Sequence, residues 1–290
     1  QMEGLVPPIP ASSKAIITLT TDFGLDDAYV AAMKGVILDI NPDARIIDFC
    51  HSIEPQNVRQ GAFVLSTAFS YFPQDTVHVV IVDPGVGGPR RAIVLETENA
   101  IFVAPDNGVL SYVIQASASR CISRPILMKL PPELQAFEIT NSKHWRQPVS
   151  PTFHGRDIFA PVAAHISLGM PLNELGQLIA SVNVFPLPRP QLSASGNLVG
   201  HILHIDHFGN LITDVTSQDL PPGEYSIQVA GHQIGSLSHS YEQSQGLLAL
   251  IGSSGRLEIA LKGGNAARLL GSKLGDKLRI TRRRTGRNRG

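Results

Sequence analysis

Cysteine is scarce in this chain: two residues, Cys50 and Cys121, among 290. Two thiols supply neither a disulfide framework nor a metal knuckle. They suit a reducing cytoplasm, with packing as their expected role. Long apolar runs are also missing. No stretch approaches the roughly 18 apolar residues that cross a bilayer, so no membrane span is expected. The opening QMEGLVPPIPASSK lacks the basic start and apolar centre of a secretory signal and reads as a flexible arm over 1–14. An excess of one charge is missing overall, with 24 basic and 24 acidic residues. The distribution is uneven, because seven of the basic residues fall in 277–290 and leave 17 against 24 acidic before them. That end carries no aromatic on which bases would stack. Residues 283–290 therefore read as a solvated basic tail, and nucleic acid is not expected as a partner.

What is present is periodic. AIITLTTDF, ARIIDFCHSI and TVHVVIVDPG read as strands, and DDAYVAAMKGVILDI and NVRQGAFVLSTAFSYF as helices between them. RAIVLETENAIFVAPDNG reads as a hairpin, and GVLSYVIQAS and GRDIFAPVAAHISLG as further helices. Residues 124–151 show no clear period. Near-continuous apolar strands alternating with helices predict an α/β domain over 15–185 with a mostly parallel sheet. Three prolines at 186, 188 and 190 mark a linker over 186–191. After it come short alternating runs split by glycine-rich turns, which predict a smaller all-β barrel domain over 192–282.

The chemistry gathers where the predicted strands end, the usual ligand crevice of an open parallel sheet. TTDFGLDDAYV sets Asp22 beyond the first strand, with Asp26 and Asp27 at a helix start, where either also suits a helix cap. A carboxylate at Asp22 suits ribose hydroxyls. VDPGVGGPRR holds Asp83 and Arg90 on opposite sides of a tight glycine turn, which also suits a plain salt bridge. GVGGPRR lacks both phosphate-cradling spacings, and Pro89 removes an amide donor, so phosphate is not favoured. PTFHGRDIFAP sets His154 immediately before a helix. In HILHIDH, His201 and His207 share one strand face and His204 points to the other, so no metal site is expected there.

TDFGLDDAYVAAMKG, CHSIEP, VVIVDPGVGGPRR, APDNGVLSYV, TFHGRDIFAPVAA and IDHFGNLITD occur in this order over residues 15–282. In them the chain resembles the S-adenosyl-L-methionine hydroxide adenosyltransferases, hydrolytic relatives of fluorinase and chlorinase. The resemblance implies an α/β domain followed by a β-barrel, assembled as a homotrimer with sites at subunit interfaces. It implies a small-molecule substrate, S-adenosylmethionine, attacked at ribose C5′ by water or hydroxide to give adenosine and L-methionine. It implies no metal and no organic cofactor. The family's Asp-Arg-His trio falls on Asp83, Arg90 and His154, and halide-using relatives depart from it. Substrate contacts carried over in the same way are Asp22 (ribose), Asp27 (the methionine ammonium) and Phe153 (beside adenine). In the second domain they are Asp206, Phe208, Asn210, Tyr241, Ser253 and Ala266, with Glu258 as an additional contact. Gly252 and Lys262 stand where the family commonly has asparagine.

Three other readings stay open at this point. A metal-dependent nucleoside hydrolase shares an acidic opening, but Thr20 stands where such a site needs a carboxylate. A halide adenosyltransferase and a non-catalytic nucleoside-binding protein are the others.

Overall fold

A computed structural model describes residues 15–118, 122–220, 222–243 and 246–283. The predicted arm over 1–14, Cys121 and most of the basic tail lie outside the described residues. The chain divides into two compact units, 1–186 and 187–290.

In the first unit the elements are β1 (Ile16–Thr21), α1 (Tyr29–Ile40), β2 (Arg45–Cys50), α2 (Val58–Ala68), β3 (Thr76–Ile81), β4 (Ala92–Glu96) and β5 (Ala100–Pro105). They are followed by α3 (Ser111–Ser117), β6 (Ile126–Lys129), β7 (Gln135–Glu138), α4 (Ala160–Ser167), β8 (Leu178–Ile179) and β9 (Ser181–Val184). Local chemistry sets several boundaries. Asn57 caps α2 by accepting from the Gln60 amide at 3.0 Å. The helix gives way to a short 3₁₀ turn and stops at Pro73, which cannot continue it. Helix α1 starts after Ala28 with no side-chain cap, so neither Asp26 nor Asp27 serves as one.

Seven strands form one sheet in the order β2-β1-β3-β5-β4-β7-β8. Three of its six pairings are parallel (β2 with β1, β1 with β3, β3 with β5) and three are antiparallel. The sheet is therefore mixed, which corrects the mostly parallel expectation. Helices cover both faces. Val30, Met33 and Ile37 of α1 lie on one stripe and pack with Phe159 and Val162 against Leu19 and Val79. On the other face α2 and α3 bring Leu65, Val113 and Ile114 to Val80, Leu95 and Phe102. A separate ribbon of β6 and β9 adds Met128, Val182 and Val184 to this second core. Burying each such large side chain stabilises the fold by roughly 1.5–3 kcal/mol.

The second unit contains β10 (Gln191–Leu192), β11 (Leu198–Ile205), β12 (Leu211–Thr216), β13 (Tyr225–Val229), β14 (His232–Ile234) and β15 (Leu237–Ser238). Strands β16 (Leu247–Ile251) and β17 (Arg256–Leu261), helix α5 (Ala266–Leu270) and strand β18 (Lys277–Arg282) complete it. Its strands follow the path β14-β13-β18-β11-β12-β17-β16-β15, with β10 added beside β11. The sheet curls into a half-barrel around Ile202, Leu211, Ile227, Ile259 and Ile280. Among the described residues strands β14 and β15 end the hydrogen-bonded order, so the barrel of the sequence reading is a curled half-barrel, and α5 makes it not purely β. Among the described residues, no helix is long and apolar enough to cross a membrane.

Candidate active site

Strands β1, β2 and β3 run in the same direction, so the segments that follow them emerge at one pole of the first unit. Asp22 follows β1, His51 follows β2, and the glycine loop 82–91 follows β3. That loop enters β4, which runs the opposite way and so begins at the same pole. Asp83 opens the loop and Arg90 nearly closes it.

The two side chains meet in a fork. Arg90 Nε donates to Asp83 Oδ2 at 2.9 Å and Oδ1 at 3.1 Å, and Arg90 Nη2 donates to Oδ2 at 2.5 Å. The carboxylate side chain is 5% exposed and the guanidinium 12%. A planar guanidinium suits this two-point contact, and charged hydrogen bonds shielded from water are the strong ones. The same Nη2 lies 2.8 Å from His154 Nδ1. Since a guanidinium only donates, Nδ1 accepts, and a neutral His154 carries its proton on Nε2. Burial, followed by the Arg90 charge, pushes the His154 pKa below its usual 6.5, while Asp83 and Asp157 pull it back upward. The guanidinium also lies 5.3 Å from the Phe159 ring centre.

Glycine is required where the two loops meet. Gly87 has φ of +76°, and a Cβ there would overlap the carbonyl of Pro151. The glycine loop thus presses against the segment that carries Phe153 and His154. Neighbouring supports fix its ends. Asn107 Nδ2 donates to the Val82 carbonyl at 2.8 Å. Arg91 donates to Asp106 (Nε at 3.0 Å) and to the Ser181 carbonyl (Nη2 at 2.8 Å).

Asp22 sits partly buried beside this trio's pole, and its Oδ2 accepts from the Gln56 amide at 2.7 Å. Gln56 adopts a left-handed φ of +65°, an uncommon conformation for a non-glycine residue. His51 fastens the Asp22 loop from below: its Nδ1 is 2.8 Å from Thr21 Oγ1, and its carbonyl accepts from the Gly24 amide at 2.9 Å. Phe23, Tyr29 and Phe153 form a cluster of edge-on and tilted rings with centres 5.2–5.9 Å apart, joining the Asp22 loop to the His154 loop. Asp27 is exposed. The structure therefore brings Asp22, Phe153, Asp83, Arg90 and His154 to one pole. A groove of about 630 Å³ at the opposite pole, lined by Ala15, Arg45, Asp75 and Thr76, includes none of them.

In the second unit Asp206 builds the β11–β12 turn. Its Oδ1 accepts from the Phe208 and Asn210 amides at 2.9 and 2.8 Å, and its Oδ2 from Asn210 Nδ2 at 2.9 Å. Phe208 stands on this turn 72% exposed. Gly209 accepts from the Ala267 amide at 2.9 Å, which sets the buried Ala266 beside the turn. Tyr241 donates its hydroxyl to Glu258 Oε2 at 3.3 Å. Burial, with Asp206 adding to it, raises the Glu258 pKa, and Tyr241 opposes that rise. A Cβ at 252 would meet the Glu258 carboxylate where it now lies, so a larger residue there would have to displace that side chain. Lys262 pairs with Glu242 at 3.1 Å. Ser253 is exposed in the β16–β17 turn. Among the described residues no group of three His, Cys, Asp or Glu is arranged to hold a metal ion, and in HILHIDH His201 instead pairs with the buried Asp214 at 3.0 Å.

The sequence reading missed Asp157, which lies three residues beyond His154 and anchors that loop. It also missed His51 and Gln56 within CHSIEPQ. The one local signal for Asp157 was a charged residue among the apolar neighbours of GRDIFAP.

Fold and site define an α/β protein with an acid–guanidinium–imidazole trio at the carboxyl pole of its first sheet, followed by a curled β unit. Residues 17–176 match the SAM hydroxide adenosyltransferase N-terminal domain, and residues 200–279 match the C-terminal domain of the same family. The chain belongs to that family. It is 39% identical over 267 residues to an (R)-S-adenosyl-L-methionine hydrolase from Salinispora tropica, covering 91% of this chain and 97% of the relative. A fluorinase from Actinoplanes sp. is 31% identical over 238 residues, covering 73% of this chain and 75% of the fluorinase. A crystal structure of an uncharacterized conserved protein from Thermotoga maritima superposes with a TM-score of 0.81 at 36% identity, covering 92% of this chain and all of that one.

Proposed function

We propose that the protein hydrolyses S-adenosyl-L-methionine to adenosine and L-methionine by attack of water at ribose C5′, with no metal or organic cofactor. The observation that carries this reading is the single guanidinium of Arg90 bridging Asp83 and His154. The substrate's sulfur leaves as a neutral thioether, so the leaving group needs no acid. What the reaction needs is one water held in line with the C5′–S bond and relieved of a proton as the C–O bond forms. Arg90 cannot take that proton, since a guanidinium donates hydrogen bonds and accepts none. His154 has its Nδ1 lone pair engaged by Arg90, so its Nε2–H donates to the water oxygen. The proton passes to Asp83 at Oδ1, the carboxylate oxygen that Arg90 holds less tightly, at 3.1 Å. Arg90 stabilises the carboxylate in place and favours hydroxide-like charge.

Asp22 takes the ribose hydroxyls, Asp27 the ammonium, and Phe153 flanks the adenine. Asp206, Phe208, Asn210, Tyr241, Ser253, Glu258 and Ala266 supply methionine- and adenine-side contacts. The assembly belonging to this reading is a cytoplasmic homotrimer. Support comes from the hydrolases being more similar to this chain than the fluorinases are.

Incubation with S-adenosylmethionine in oxygen-18 water, with mass analysis of the nucleoside, tests the reaction. Label in the adenosine 5′-hydroxyl is expected, and unlabelled adenosine or free adenine would overturn the mechanism. Chloride or fluoride is expected to yield no 5′-halo-adenosine. Chelators are expected to leave the rate unchanged, and a divalent-metal requirement would favour the nucleoside hydrolase instead.

A further inference from the structure

Resting on that reading of the trio, we infer that Asp157 is a positioning residue: it fixes the loop bearing Phe153 and His154 and sets the electrostatic field at the His154 imidazole. Asp157 lies in a π-helical turn, Gly155–Phe159, directly after His154 and directly before α4. Such single π turns redirect side chains and recur at functional sites. The Asp157 side chain has no exposure. A carboxylate at that depth persists only if it is fully paired. It accepts from Arg156 Nε at 2.7 Å and Nη2 at 2.9 Å, from the Ser150 amide at 2.9 Å, and from Arg146 Nη1 at 3.5 Å.

Its backbone serves the same loop. The Asp157 amide donates to the Phe153 carbonyl at 3.2 Å, and its carbonyl accepts from the Arg146 amide at 2.9 Å. One residue thus ties positions 146, 150, 153 and 156 together. The Arg156 guanidinium held by Asp157 lies 5.0 Å from the Phe153 ring centre, which extends the brace to the adenine-side aromatic. The two loops of the trio therefore have different anchors: Asn107 and Asp106 hold the glycine loop, and Asp157 holds the histidine loop.

The charged groups acting on His154 are Arg90 and Asp83 from the glycine loop and Asp157 from its own turn. Protonating His154 would remove the Nδ1 acceptor and set an imidazolium against the guanidinium. Activity is therefore lost on the acid side as His154 protonates. Removing the Asp157 charge lowers the pH at which this happens. Removing the Arg156 cation, which leaves Asp157 less neutralised, raises it.

The experiment follows hydrolysis of S-adenosylmethionine against pH for the wild type, Asp157→Asn and Arg156→Gln, together with the His154 imidazole titration by NMR. For Asp157→Asn, kcat is expected to fall roughly 10- to 100-fold, the scale of a misplaced reacting group, with the acid limb and the NMR midpoint displaced to lower pH. For Arg156→Gln both are displaced to higher pH. Lost packing alone does not produce opposite displacements. Midpoints that stay at the wild-type value, or that move the same way in both variants, overturn the inference, as does an unchanged kcat in Asp157→Asn. If Asp157→Asn does not fold, the Arg156→Gln midpoint decides by itself. A wild type that leaves S-adenosylmethionine intact refutes the proposed function, and the NMR midpoints then still judge Asp157.

Discussion

At the scale of single residues, Arg90 is the hinge of the site because its planar fork reaches two acceptors at once. Lysine would keep the charge but offers its donors from one point, so it cannot hold both Asp83 oxygens and His154 Nδ1. Arg90→Lys is expected to cut kcat by at least about 100-fold with a much smaller change in KM, read from steady-state hydrolysis. A near-normal kcat would show that charge, rather than the fork, is what the site uses. Asp83 and Arg90 were legible in the sequence because opposite charges flank a glycine turn at the end of an apolar strand. His154 was not distinctive by itself, and only the neighbouring motif pointed to it. Asp157 was illegible because its importance comes from a loop closing onto it, and in sequence an Arg-Asp pair before a helix looks like ordinary first-turn charge.

At the scale of elements, the sequence carried the direction of the longer strands but not the short ones added at the sheet's far edge. Strands β4 and β5 pair antiparallel, as the hairpin reading of RAIVLETENAIFVAPDNG expected, while the short strands β7 and β8 extend the sheet antiparallel beyond them and make it mixed. Strands β6 and β7 were missed because each spans four residues inside a polar, proline-containing stretch. The glycine loop was better determined, since Gly87 has to face the Pro151 carbonyl at a positive φ. Gly87→Ala combines a left-handed alanine, about 1–2 kcal/mol, with a push against the His154 loop. It is expected to lower kcat more than tenfold while the melting temperature drops by only a few degrees. A variant that loses melting temperature but keeps wild-type turnover would show that the contact serves stability alone.

At the scale of the whole molecule, each unit has its own core, and buried titratable groups give the first unit a particular dependence on acid. His78 in β3 is fully buried, stacked on Phe102 and edge-on to Phe49, Phe69 and Phe72, with Nδ1 2.7 Å from Thr18 Oγ1. Burial pushes its pKa from 6.5 down to about 4. Between those values the unfolded chain binds a proton that the folded chain refuses. The contribution of His78 to stability is therefore complete above pH 6.5, is lost as the pH falls toward 4, and changes no further below that. The gap corresponds to roughly 3 kcal/mol. His154 and His165 are displaced in the same direction and steepen the effect. Trp145 is the single tryptophan and lies in the first unit, so its fluorescence reports that unit's unfolding. Urea titrations at pH 7, 6, 5 and 4.5, followed by tryptophan emission, are expected to give a stability that declines steadily through this window. In His78→Asn, where the replacing side chain does not titrate, the decline should be shallower even though the variant is less stable at pH 7. Parallel slopes for the two proteins would mean that His78 takes up its proton without unfolding the core.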